Sequence, residues 1–97
     1  MGVIYMLTFP DGMQYVGKAV DFERRMKEHA RGLRTGKKVK EWIERYGWDQ
    51  VKREILVTGP DADLDNDERR TIRGMGTLWP AGLNLTAGGD GGCGWGV

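Results

Sequence analysis

Val3-Ile4-Tyr5-Met6-Leu7-Thr8-Phe9 decides the fold. Nearly every residue in it is apolar, aromatic or β-branched. It lacks the polar alternation of a strand that faces water on one side, so it reads as a strand buried on both faces. Pro10-Asp11-Gly12 follows as a turn, because Pro presets φ and Gly accepts the left-handed position. Met13-Gln14-Tyr15-Val16-Gly17 then returns as a second strand, and the two should pair as an antiparallel hairpin. If Phe9 faces Met13 across the turn, Leu7 faces Tyr15, and Tyr5 lies diagonally from Tyr15 on the same sheet face. A bulge at Gly12 would shift this register by one residue.

Helices follow the hairpin. Asp21 is a good N-cap. Phe22, Met26, Ala30 and Leu33 recur behind it at helical spacing, and Gly36 is the expected stop. From Lys38 to Tyr46, the residues Val39, Trp42, Ile43 and Tyr46 form the apolar face of a second helix, closed by Gly47. Val51 to Val57 predicts a third strand, ended by Gly59-Pro60. Leu64, Glu68, Ile72 and Met75 mark one face of a third helix, stopped near Gly74 or Gly76. Beyond it, Trp79-Pro80-Ala81-Gly82 is a turn and Leu83-Asn84-Leu85-Thr86 a short extended piece. The fold class is therefore α/β of the α+β kind: a small three-stranded antiparallel sheet flanked by three helices in the order ββααβα. Residues 1–90 read as one domain and 91–97 as a Gly-rich flexible tail.

Bulk properties narrow the function classes. The chain has 97 residues, 39% hydrophobic and 30% charged, ordinary for one soluble globular domain. No apolar run is long enough to span a membrane, and no signal peptide is expected. The lone Cys93 rules out an internal disulfide and a cysteine-rich zinc site, and it fits a cytoplasmic location. Net charge is only +1, but its distribution is uneven. Residues 24–40 carry Arg24, Arg25, Lys27, Arg31, Arg34, Lys37, Lys38 and Lys40 against the single acid Glu28. Residues 61–68 carry Asp61, Asp63, Asp65, Asp67 and Glu68 and no base. The basic run is either a solvated helix face or a track for a polyanion such as DNA.

A few residues break the pattern. Glu68 falls between Leu64 and Ile72 on an apolar stripe, where a carboxylate is costly unless paired or bound to a metal. Arg25 and His29 sit four apart on the first helix, beside its apolar face, while Arg24 projects to the opposite side. A structural salt bridge and a buried structural histidine are the plain readings of that pair. Lys18 directly follows Gly17, and a lysine beside a phenol lowers its pKa. Asn84 between two leucines is ordinarily a turn or backbone-bonding residue.

Together these residues resemble one family. Ile4-Tyr5 and, ten residues later, Tyr15-Val16-Gly17 resemble the two short motifs that name the GIY-YIG nucleases. The segment from Asp21 to His29 resembles the helix after them, with its Arg and His. Glu68-Arg69-Arg70-Thr71-Ile72 resembles the segment that holds the metal-binding glutamate. The stretch from Gly82 to Gly91 is similar to the closing segment of phage homing endonucleases. One departure is visible: Val3 stands where family members often have the first glycine, with Gly2 one position earlier.

The resemblance implies a metal-dependent DNA endonuclease that hydrolyses phosphodiester bonds. It implies that Glu68 anchors one Mg²⁺ or Mn²⁺ and that Arg25 donates to the scissile phosphate. Tyr5 or Tyr15, with Tyr5 preferred, would take a proton from the attacking water. A phenol needs a depressed pKa for that, with Lys18 as the expected cause. His29 would be a phosphate or proton partner, and Asn84 would hold the site together. Arg31, Arg34, Lys37, Lys38 and Lys40 would follow the DNA backbone. The partner expected is DNA, with no membrane and no small-molecule cofactor. A separate DNA-binding domain or a second copy of the chain would complete it. Other readings are a repair, junction-resolving or restriction nuclease of the same fold, or a catalytically silent DNA-binding module.

Overall fold

The computed structural model describes residues 2–85. Its elements follow in the predicted order: β1 (Gly2–Thr8), β2 (Gln14–Ala19), α1 (Phe22–Ala30), α2 (Lys37–Tyr46), β3 (Lys52–Gly59) and α3 (Asp61–Met75). A 3-10 turn over Trp48–Gln50, which the sequence reading did not foresee, joins α2 to β3. The tail expected at 91–97 lies outside the described residues. Of the extended piece expected at 83–86, the described part forms a parallel bridge between Asn84 and Leu78.

The three strands are antiparallel in the order β2-β1-β3, with the continuous apolar run at the centre. The hairpin has the register read from the turn: Leu7 pairs with Tyr15 and Tyr5 with Gly17. No bulge at Gly12 shifts it, because Phe9 N donates to Met13 O at 2.9 Å and Gly12 N to Phe9 O at 2.8 Å. The irregularity falls instead on the other side of β1, between Ile4 and Tyr5 where they meet β3.

β1 is buried on both faces because each face has its own core. On one face Tyr5, Leu7, Tyr15 and Ala19 pack with Met26 of α1 and with Val39, Trp42 and Ile43 of α2. On the other face Ile4, Met6 and Val16 pack with Leu64 and Ile72 of α3. The hairpin turn is fastened to α2 through one carboxylate. Asp11 accepts from Met13 N at 3.0 Å, from Trp42 Nε1 at 2.9 Å and from Tyr46 Oη at 3.3 Å. Burial pushes that carboxyl up, but the donors outweigh it and leave it below its ordinary pKa.

Two expectations about helix faces need correcting. The first helix does not run through Leu33 to a stop at Gly36. It ends at Ala30, and Leu33 is exposed. The cause is Gly32, which takes φ +71° just past the C-cap Arg31. Gly32 N donates to His29 O at 3.0 Å and Leu33 N to Glu28 O at 2.8 Å, the paired bonds of a Schellman motif. Gly36 is the N-cap of α2 instead. On α3, Leu64, Glu68 and Ile72 are buried as the stripe predicted, whereas Met75 in the last turn is exposed.

The cap is testable. Gly32→Ala puts a Cβ on a left-handed residue and should destabilise the fold by about 1–2 kcal/mol, read from urea unfolding. Unchanged stability would show that the loop tolerates another cap.

Candidate active site

β1 and β2 bring two tyrosines onto one face. Their rings lie 6.3 Å apart, and both are almost fully buried. Tyr5 reaches across the edge strand β2, and the backbone there makes room for it. A Cβ on Gly17 would lie 2.5 Å from Tyr5 Oη and 3.0 Å from Tyr15 Cε2. Glycine in Tyr15-Val16-Gly17 is thus a matter of space, since Gly17 does not have a positive φ.

α1 crosses this face and adds His29 and Arg25. His29 is fully buried and its Nε2 lies 2.7 Å from Tyr5 Oη. Its ring meets both tyrosine rings edge-on and stacks on Trp48 at 6.1 Å. Trp48 belongs to the unforeseen 3-10 turn and in turn carries Arg53 over its ring at 4.8 Å. His29 Nδ1 lies 3.1 Å from Thr35 Oγ1, a partner with no local signature in the sequence. Burial, aided by the Arg25 charge, lowers the His29 pKa to about 3, so its imidazole is neutral at physiological pH.

Arg25 lies one turn earlier on the same helix and is mostly buried, while Arg24 is mostly exposed. That agrees with the contrast between their helix faces. Arg25 Nη1 donates to Glu28 Oε1 at 3.0 Å, and Nη2 to Arg34 O at 2.9 Å. Beside it opens a cleft of about 270 Å³ lined by Ala19, Asp21, Arg24, Arg25, Glu28 and Arg34. The Arg25 guanidinium is close enough to act on both phenols.

Glu68 comes from α3, which packs on β2 and β1. It is 8% exposed, and its charge raises the pKa of both phenols. Asn84 closes the site from the segment after α3. Its Oδ1 accepts from Val16 N and its Nδ2 donates to Val16 O, both at 2.8 Å. The side chain therefore pairs with the free edge of β2 as a neighbouring strand would, between Tyr15 and Gly17.

The structure brings together Tyr5, Tyr15, Arg25 and His29, sets Glu68 within electrostatic reach and anchors Asn84 beside them. It does not bring Lys18 to the phenols. Residues alternate along β2, so Lys18 shares a face with Val16 and pairs with Asp65 of α3. The expectation of a depressed phenol pKa is overturned with it. Burial drives Tyr5 well above its ordinary pKa, with Tyr15 adding to the rise, and burial likewise raises Tyr15. Both are neutral phenols at physiological pH. Of the basic residues, Arg31, Arg34, Lys37 and Lys40 are exposed. Lys38 is half-buried, 4.4 Å from the Trp79 ring and 3.9 Å from Glu41 Oε2. Among the described residues no three His, Cys, Asp or Glu side chains cluster as a metal cage.

A family model described as the GIY-YIG catalytic domain matches residues 1–72. No curated protein and no solved structure gives a significant match.

Two measurements check this geometry. Gly17→Ala should drive its new methyl into the Tyr5 phenol and destabilise the protein by about 1–3 kcal/mol in urea unfolding. A neutral change would mean that the phenol does not rest on this glycine. The buried neutral His29 also sets a pH dependence. Its folded pKa of about 3 lies below the ordinary 6.5, so between these values the unfolded chain binds the extra proton. Stability should hold above pH 6.5 and fall below it by up to about 1.4 kcal/mol per pH unit. His29→Gln should flatten the slope between pH 6.5 and 5. An equally steep slope in that variant would assign the loss to other groups.

Proposed function

The chain belongs to the GIY-YIG nuclease family, and on that premise we propose that it is a metal-dependent DNA endonuclease of the phage homing type, hydrolysing phosphodiester bonds. The observation that carries the proposal is the buried Tyr5–His29 hydrogen bond, set beside a guanidinium and within reach of a buried carboxylate. A buried neutral phenol on a neutral imidazole is a proton path, Arg25 is a phosphate ligand, and Glu68 is a cation ligand. The homing assignment rests on the closing segment, whose Asn84 is bound to β2.

Each side chain has a task. Arg25 donates to a non-bridging phosphate oxygen, where negative charge builds as water attacks phosphorus. Its contacts to Glu28 and Arg34 O aim the guanidinium while it waits. Tyr5 acts as a neutral relay rather than a standing phenolate. As the water oxygen bonds to phosphorus and the bond from phosphorus to the leaving oxygen breaks, the water proton passes to Tyr5 Oη and the phenolic proton to His29 Nε2. The leaving oxygen takes its proton from solvent, and His29 returns its own through Tyr5 to solvent. Tyr15, packed against Tyr5, orients the phosphate. A single protein carboxylate suits Mg²⁺ or Mn²⁺, which keeps several waters, and suits zinc poorly, since zinc needs three or four protein ligands. Glu68 would hold that ion, which supplies positive charge for the phosphate and the leaving oxygen. Arg31, Arg34, Lys37, Lys38 and Lys40 contact the DNA backbone without choosing sequence.

Nicking of supercoiled plasmid tests the proposal. Cleavage should need Mg²⁺ or Mn²⁺ and stop with chelator or with Glu68→Ala. Arg25→Ala should slow it roughly 100-fold or more, while Arg24→Ala has a small effect. Cleavage that survives the chelator or the Glu68 substitution would refute the metal role. Equal effects of the two arginine variants would refute the role of Arg25.

A further inference from the structure

We propose that Thr35 is a positioning residue: its hydroxyl fixes the single histidine in the Nδ1–H tautomer and so turns the Tyr5 hydroxyl hydrogen onto His29 Nε2. The functional consequence rests on the relay proposed above, but the tautomer does not.

The argument follows the hydrogen atoms. Thr35 stands in the loop between α1 and α2. It has one hydroxyl hydrogen, and that hydrogen is donated to Leu33 O at 3.0 Å. Toward His29 Nδ1, 3.1 Å away, Thr35 Oγ1 is left with lone pairs alone. Two lone pairs facing each other would repel, so Nδ1 must carry the imidazole proton. The neutral ring holds only one N–H, and Nε2 is then the acceptor. At 2.7 Å the group facing Nε2 is Tyr5 Oη, which must be the donor. One backbone carbonyl, Leu33 O, thus sets the direction of every hydrogen bond from the loop to β1.

Direction is what a relay requires. With its hydrogen committed to His29, the Tyr5 oxygen keeps lone pairs alone toward the Arg25 guanidinium, which itself lines the cleft. It can accept a proton there and has a bonded site to which its own can leave. In the opposite tautomer His29 would donate to Tyr5 and hold no lone pair for that proton. The same loop supplies Arg34 O to Arg25 Nη2 at 2.9 Å, so it orients the two α1 residues that face the phenol. The left-handed turns at Gly32 and Arg34 carry the chain back to put Thr35 over His29.

The protein has one histidine, which makes the test unambiguous. Long-range ¹⁵N–¹H correlation spectra of the ¹⁵N-labelled full chain at neutral pH should show a protonated Nδ1 and an unprotonated Nε2. Thr35→Ser should keep that pattern and cleavage. Thr35→Val should shift the ring toward the Nε2–H form and lower kcat roughly 10- to 100-fold with little change in KM. An Nε2–H ring in the unmodified protein, or an unchanged tautomer in Thr35→Val, overturns the proposal whatever the activity. A switched tautomer with cleavage at full rate would instead refute the relay through Tyr5 and His29. The spectrum of the unmodified protein decides the tautomer even if the valine variant does not fold.

Discussion

The hydrogen bond between the Tyr5 phenol and His29 joins the central strand to the first helix inside the larger core. A phenol and an imidazole buried together would each carry a desolvation cost, which their mutual bond offsets. The surroundings serve that bond. Gly17 leaves the space that the phenol occupies, Trp48 covers the imidazole, and the α1–α2 loop satisfies the remaining ring nitrogen. The same enclosure keeps both partners uncharged, because burial raises the phenol pKa and lowers that of the imidazole.

The bond is useful only because charged groups are held at its margin. Arg25 is fixed by a carboxylate and a carbonyl, so its direction is set before any ligand arrives. Glu68 approaches from the helix on the other face of the sheet. The site therefore lies at the β2 edge, where elements from both faces can meet, and Arg25 and Glu68, of opposite sign, come from separate layers of the fold. On the proposed function, a phosphate would sit against Arg25 and a divalent metal against Glu68.

Much of this was legible in the sequence, for reasons of periodicity. An apolar run without alternation marked the central strand, Asp21 marked a helix start, and spacing by three and four marked the face of α2. Glu68 stood out because a carboxylate breaks an apolar stripe. The misreading of Lys18 came from giving weight to chain adjacency over the two-residue period of a strand, which puts Lys18 opposite Tyr15 and Gly17. The end of α1 was misread because Leu33 continues the helical spacing, while Gly32 before it supplies a better cap. Thr35 and Trp48 carried no signal at all. Their contacts with His29 depend on how a loop and a 3-10 turn fold back, and no local pattern encodes that.

Asn84 pairs through its side chain with both backbone groups of Val16. Seen in the order in which a ribosome makes the chain, this sets a sequence of events. Tyr5, Tyr15, Arg25 and His29 are all made before half of the chain exists. The amide that seals the edge strand at Val16, between Tyr15 and Gly17, is made only after α3. Until then Val16 presents an open N–H and C=O to water or to any extended chain nearby. The last described stretch thus finishes what the first hairpin begins, and it also shields that hairpin from pairing with the wrong strand.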